Sequence, residues 1–149
     1  MKYSILIPAK DEELYIGKAL EMLISIGDVD WEAIVIDDHS NDGTFDLAKR
    51  YQAQDNRIKV FKNRGKGKVD AFNHAYTCST GEVIRFQGAD DVLHPKIFEY
   101  CNDFSYYSAY CHDLFIADKD LQVTGVSRMN PTYLNRDYMY CLENFKSLP

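Results

Sequence analysis

Four short apolar runs, each followed by a polar loop and the first three also by a stretch with helical spacing, constrain this chain more than any other feature. The first, Tyr3-Ser4-Ile5-Leu6-Ile7, is stopped by Pro8 and reads as a buried strand. Carboxylates at Asp11, Glu12 and Glu13 stand where a helix dipole favours negative charge, and Ile16, Leu20 and Leu23 recur on one face. The spacing therefore predicts a helix from Asp11 to a stop at Gly27. A second cycle runs through Trp31-Glu32-Ala33-Ile34-Val35-Ile36, a polar turn over 37–44 and a helix over 45–53. A third strand, Ile58-Lys59-Val60-Phe61, leads through a loop rich in glycine and lysine to a helix over 69–77, and Gly81 opens a fourth strand, Glu82-Val83-Ile84-Arg85-Phe86. Strands alternating with helices at this pitch predict an α/β fold with a Rossmann-like, mostly parallel sheet and helices on its faces.

After Pro95 the pattern changes. Residues 97–104 read as a short helix, and 109–117 with 121–126 as a C-terminal antiparallel hairpin around Asp118-Lys119-Asp120. Residues 127–149 show no period, so the expected organisation is one domain over 1–126 and a short tail over 127–149.

Composition is compatible with one such core. A chain of 149 residues that is 46% apolar and 13% aromatic buries roughly 68–70% of its unfolded surface. With 17 Lys and Arg against 23 Asp and Glu, the formal charge of -6 argues against a broad footprint for nucleic acid, so an anion site must be local. No apolar run approaches the ~20 residues of a transmembrane segment, and no signal-peptide pattern opens the chain. A cytoplasmic protein, at most peripheral to a membrane, is expected. Cys78, Cys101, Cys111 and Cys141 form no C-x-x-C pair and share no spacing with histidines, so they read as reduced and structural. His39, His74, His94 and His112 are scattered and read the same way.

In an open parallel sheet, ligands collect beyond the carboxyl ends of the strands. The unusual polar residues fall there each time: Ala9-Lys10-Asp11-Glu12-Glu13, then Asp37-Asp38-His39-Ser40-Asn41-Asp42-Gly43-Thr44, then Asn63-Arg64-Gly65-Lys66-Gly67-Lys68, and lastly Gly88-Ala89-Asp90-Asp91. Carboxylates for a hard cation and a nucleoside, with cations and glycines for phosphate, suit a nucleoside diphosphate with a metal. Taken singly, the 37–44 loop is better explained by helix capping. The strip of Lys62, Arg64, Lys66 and Lys68 is equally a solvated loop. The P-loop spacing is absent, with Val69 in place of the hydroxyl residue, and no G-x-G-x-x-G turn follows the first strand.

Taken together and in order, the four loops resemble those of the family 2 glycosyltransferases, which have an A-type nucleotide-sugar-binding fold. The resemblance covers approximately the first 126 residues, and its most specific stretch is Val35-Ile36-Asp37-Asp38-His39-Ser40-Asn41-Asp42-Gly43-Thr44. Gly67-Lys68 with Ala71-Phe72-Asn73 resembles the family's phosphate-side loop and helix, and Gly88-Ala89-Asp90-Asp91 its D-x-D metal motif. The resemblance implies that Ala9 and Glu13 line the base pocket, Asp38 holds the nucleoside, and Lys68 lies near the diphosphate. It implies that Asp90 binds Mg²⁺ or Mn²⁺, and Pro8 and Asp37 complete the donor-binding set. The implied activity is metal-assisted, inverting transfer of a sugar from a UDP- or GDP-linked donor to an unknown glycan, lipid or protein acceptor. The alternative is a truncated or non-catalytic nucleotide-sugar-binding module. Two departures stand out: Gly88 occupies the place of the first D-x-D acid, and about 20 residues follow the hairpin where the family carries its acceptor half. None of Asp113, Asp137 or Glu143 stands in a base motif, so the catalytic base is unknown.

Overall fold

The structure, a computed structural model, describes residues 1–94, 97–100, 114–118 and 120–127. The chain divides into two compact units, Met1–Tyr100 and Cys101–Pro149. In the first, β1 (Tyr3–Ala9), β2 (Trp31–Asp37), β3 (Ile58–Lys62) and β4 (Val83–Phe86) form one sheet in the order β3-β2-β1-β4. All three pairings are parallel. The helices α1 (Ile16–Ile24), α2 (Thr44–Gln54) and α3 (Lys68–Cys78) connect them, and α4 (Ile97–Tyr100) follows β4. In the second unit, β5 (Leu114–Ala117) and β6 (Val123–Ser127) pair antiparallel, with a register shift at Ile116/Ala117. The α/β class, the mostly parallel sheet and the hairpin are as the sequence predicts. The remainder of the 97–104 helix, the start of the first hairpin strand and the 128–149 tail lie outside the described residues.

Every residue of β1 and β2 is buried, because a central parallel strand has helices over both faces. Ala71 and Ala75 of α3 pack on Leu6, Ile34 and Ile36. The small residues let helix and sheet approach closely. On α1, Ile16, Ala19, Leu20 and Leu23 are buried. At about 25 cal/mol per Å² of apolar surface, each fully buried Ile or Leu contributes roughly 1.5–3 kcal/mol.

Strand order decides where a ligand fits. From β1 the chain steps outward to β2 and β3, then returns across the sheet to place β4 on the other side of β1. The gap between the carboxyl ends of β1 and β4 is thus the topological switch point, the usual crevice of open α/β sheets.

Two boundaries differ from the expectation. The strand does not stop at Pro8 but continues through it to Ala9. Leu6 O accepts from Gln87 N just past the end of β4, and Ala9 O accepts from Asp38 N on the β2 side. By alternation Pro8 faces the β4 side, beyond the last β4 residue, so its missing N–H costs no ladder bond. Helix α1 begins at Ile16 rather than Asp11 and ends at Ile24, ahead of Gly27. Asp11 has φ 55, which excludes it from a right-handed helix. The acidic triplet is a loop, and its hydrogen bonds go elsewhere.

Candidate functional site

The loop after β1 is zipped to the loop after β2. Asp11 N donates to Ser40 Oγ at 3.0 Å, and Asn41 N returns a bond to Asp11 Oδ1 at 2.7 Å. Glu12 N donates to Thr44 Oγ1 at 2.7 Å. Glu13 N donates to Asp42 Oδ2 at 3.1 Å, and Gly43 N to Glu13 Oε2 at 2.9 Å. A Cβ at Gly43 would stand 2.3 Å from Glu13 Oε1, so a side chain there would push the Glu13 carboxylate off this amide. Asp42 also takes the Thr44 amide and hydroxyl, and these bonds, the hydroxyl first, hold its carboxyl below the usual range. The Ser-Asn-Asp-Gly-Thr run therefore both starts α2 and fastens its neighbour. The N-cap itself, Gly43, offers no side chain, and Asp42 one residue ahead takes the Thr44 amide instead.

The same segment reaches the loop after β3 on its other side. Asp38, 5% exposed, accepts from Asn63 Nδ2 at 2.7 Å and from Gly67 N at 2.9 Å on both oxygens. Burial raises its carboxyl, but these bonds, with the charges of Lys10 and His39, outweigh burial and leave it below its ordinary value. It is a buried, ionised carboxylate held by neutral donors. His39, at φ 59, bonds Gly65 O through Nε2 at 2.9 Å. It bridges two loops, which the scattered histidine pattern does not reveal. His74 fits the structural reading: it is buried against Phe61, and neither ring nitrogen has a partner.

Pro8 and Ala9 are buried at the end of β1, and Glu13 is exposed on the zipped edge. Asp37 is 2% exposed and its Oδ1 has no hydrogen-bond partner. Lys68 is exposed at the first position of α3. The expected cationic strip is not continuous, because Lys62 Nζ turns to the Phe45 ring at 4.8 Å. Lys62 pairs in register with Asp37, whereas Asp38, one residue on, points to the opposite side.

Glu12 shows how the loops converge. Its carboxyl is raised first by burial and then by the charges of Asp90, Asp42 and Asp11, while Lys68 acts in the opposite sense. One side chain thus feels residues from all four loops. The sequence reading places Glu12 in the first loop without choosing it as a site residue. Its only local signal is membership of an acidic triplet whose flanking members are spent on the second loop.

The fourth loop is a tight turn. Asp91 N donates to Gly88 O, Gly88 N to Asp91 Oδ2 and Gln87 Nε2 to Asp91 O, at 3.1–3.2 Å. A Cβ at Gly88 would stand 2.6 Å from Asp90 Oδ1 and 2.8 Å from Asp91 Oδ2. Glycine is what lets both carboxylates fold over this turn, and an aspartate here would push them aside. Among the described residues no three His, Cys, Asp or Glu side chains gather to hold a metal on their own. A single exposed carboxylate beside a second acid is a donor set for a hard cation that keeps waters and takes its other oxygens from phosphate. Among the described residues no helix is long and apolar enough to cross a membrane.

A family model described as glycosyl transferase family 2 matches residues 4–125. EpsE of Bacillus subtilis (strain 168), named as a glycosyltransferase, is 33% identical over 100 residues, which cover 66% of this chain and 36% of its own length. The crystal structure of S. aureus TarS 1-349 in complex with UDP-GlcNAc matches with a TM-score of 0.62 and 25% identity, covering 68% of this chain and 30% of that one. The mannosyltransferase PcManGT from Pyrobaculum calidifontis, in complex with GDP-Man and Mn²⁺, shares the fold at a TM-score of 0.57 and 23% identity, over 63% of this chain and 29% of that one. The chain spans about a third of the length of these proteins.

Proposed function

The chain belongs to glycosyl transferase family 2, and on that premise we propose that its first unit holds the nucleoside diphosphate of a UDP- or GDP-linked sugar donor. The observation that carries this reading is the hydrogen-bonded union of the first three loops at the carboxyl end of the sheet, Asp11 to Glu13 with Ser40 to Thr44 and Asp38 with Asn63 and Gly67, while the charge of Asp90 in the fourth loop acts on Glu12. UDP-GlcNAc on TarS and GDP-Man on PcManGT support the donor class.

In this reading the ionised Asp38 accepts a hydrogen bond from the base or ribose. Pro8, Ala9, Glu13 and Asp37 line the nucleoside side, and Lys68 faces the diphosphate. Asp90 would hold Mg²⁺ or Mn²⁺, which would supply charge to offset that developing on the departing diphosphate. The sugar passes to a glycan, lipid or protein acceptor with inversion at the anomeric carbon. The acceptor hydroxyl attacks as the bond to the diphosphate breaks, and its proton goes to a carboxylate that the described residues do not identify. The protein works in the cytoplasm or at the membrane periphery.

A second reading, a nucleotide-sugar-binding module without turnover, is favoured by Gly88 in place of an acid. Calorimetric titration with UDP and GDP, each with and without Mn²⁺, tests the donor site. One of the two binds and Mn²⁺ strengthens it. No heat from either at millimolar concentration overturns the reading. Donor hydrolysis and transfer by the complete gene product separate enzyme from module.

A further inference from the structure

Asn63 follows β3 directly and is 5% exposed. Its backbone N–H donates to Asp37 O at 2.8 Å, anchoring it to the end of β2. Its side chain works in both directions: Nδ2 donates to Asp38 Oδ1 at 2.7 Å, and Oδ1 accepts from Gly65 N at 3.2 Å. Asp38 in turn takes the Gly67 amide on both oxygens, and Gly67 O accepts from Ala71 N in the first turn of α3. Gly67 has φ 92, a conformation open to glycine at little cost. Lys68 is the next residue. The position of Lys68 thus depends on a chain of bonds that starts at the Asn63 amide.

We propose that Asn63 is a positioning residue of the donor site, fixing the Asp38 carboxylate in one orientation and pinning the loop that presents Lys68. The proposal rests on the donor-site reading above. An amide is suited to this place because it donates and accepts at once and carries no charge. A lysine there would neutralise Asp38, and an ionised aspartate has no proton to give. Asp38 keeps its charge, with Lys10 and His39 the charged or titratable neighbours that act on it. Among the described residues its Oδ2 carries only the shared Gly67 N–H, which leaves a lone pair for a ligand.

The test combines UDP and GDP titration of the purified chain with amide exchange at Gly67, for the wild type, Asn63→Ala and Asn63→Asp. In Asn63→Ala the Gly67 amide exchanges at least tenfold faster, the nucleotide Kd rises at least tenfold, and amides of β1 and β2 keep their protection. Asn63→Asp sets two carboxylates against each other, so its binding is weak at pH 8. It recovers toward pH 5 as the pair shares one proton that restores the missing donor; the wild type shows no such recovery. A merely structural role moves the folding midpoint without this pH profile. Wild-type affinity in Asn63→Ala, or a loss in Asn63→Asp that is the same at both pH values, overturns the proposal alone. A wild-type chain that binds neither nucleotide overturns the donor-site reading and the proposal with it.

Discussion

Strand β2 carries buried carboxylates at both ends, and the protein treats the two ends in opposite ways. Near its start, Glu32 is 1% exposed and meets Lys59 Nζ at 2.7 Å and Lys2 Nζ at 3.2 Å. The Ser4 hydroxyl and the Thr80 amide and hydroxyl complete its acceptor capacity. Burial raises its carboxyl, but the bonds from Lys59, Ser4 and Thr80 more than reverse that and hold it far below the usual range. At the other end, among the described residues, Asp38 receives only neutral donors, Asp37 Oδ1 receives none, and neither forms an ion pair. Burial alone therefore does not mark a site. A carboxylate whose charge is matched inside the fold is part of the frame, whereas one held by neutral donors at a strand's carboxyl end is, in the proposed reading, the one that takes a ligand.

The contrast is most easily broken at Glu32. Glu32→Ala strands two lysines and three donors, and because Lys2 and Lys59 are 30% and 39% exposed and rehydrate in part, the cost sits near the low end for a broken buried pair, about 3 kcal/mol. Urea unfolding measures that loss, and the folded variant binds nucleotide within a factor of two of the wild type. The opposite end gives the opposite signature. Asp90→Asn changes stability by less than about 0.5 kcal/mol, as an exposed substitution should, but abolishes the Mn²⁺ enhancement of nucleotide binding. An unchanged metal response removes Asp90 from the site.

The smallest effect is a matter of pH. Burial, helped by the Arg64 charge, lowers the His74 pKa, so the folded state resists a proton that the unfolded state accepts. Its contribution to stability is complete above the unfolded value of about 6.5 and declines as pH falls below it. Asp38 and Glu32 act in a separate window: their depressed folded values keep their contribution until pH drops below the ordinary carboxylate range, about 4. His74→Phe flattens the stability profile between pH 6.5 and 5 while leaving the loss at lower pH in place. A persistent slope assigns the acid sensitivity to other groups.

The sheet was legible because its signal is local: runs such as Ala33-Ile34-Val35-Ile36 alternate with amphipathic helices within windows of a few residues. The loops were legible as a set, since polar residues gathered after each strand, but their internal division was not. Asp11 and Glu13 look like the acidic first turn of α1, yet their carboxylates bond Asn41 and Gly43, 30 residues away. No local period carries that information. Lys62 reads as part of a cationic strip until strand alternation turns it toward Phe45. Gly88 reads as a lost acid, and the turn adds what sequence does not show, that a side chain there would have to displace the exposed Asp90 and Asp91 carboxylates. Asn63 stood two residues before a glycine, an ordinary loop signal, and its bond to Asp38 depends on the β2–β3 register.

Backbone amide NMR during a titration with UDP and Mn²⁺ probes the shared site most directly. The account predicts that amides in residues 9–13, 37–44, 63–68 and 88–91 shift together along one saturation curve, while those around Glu32 and Thr80 stay fixed. Saturable binding that leaves any one of those four loops unmoved would contradict it.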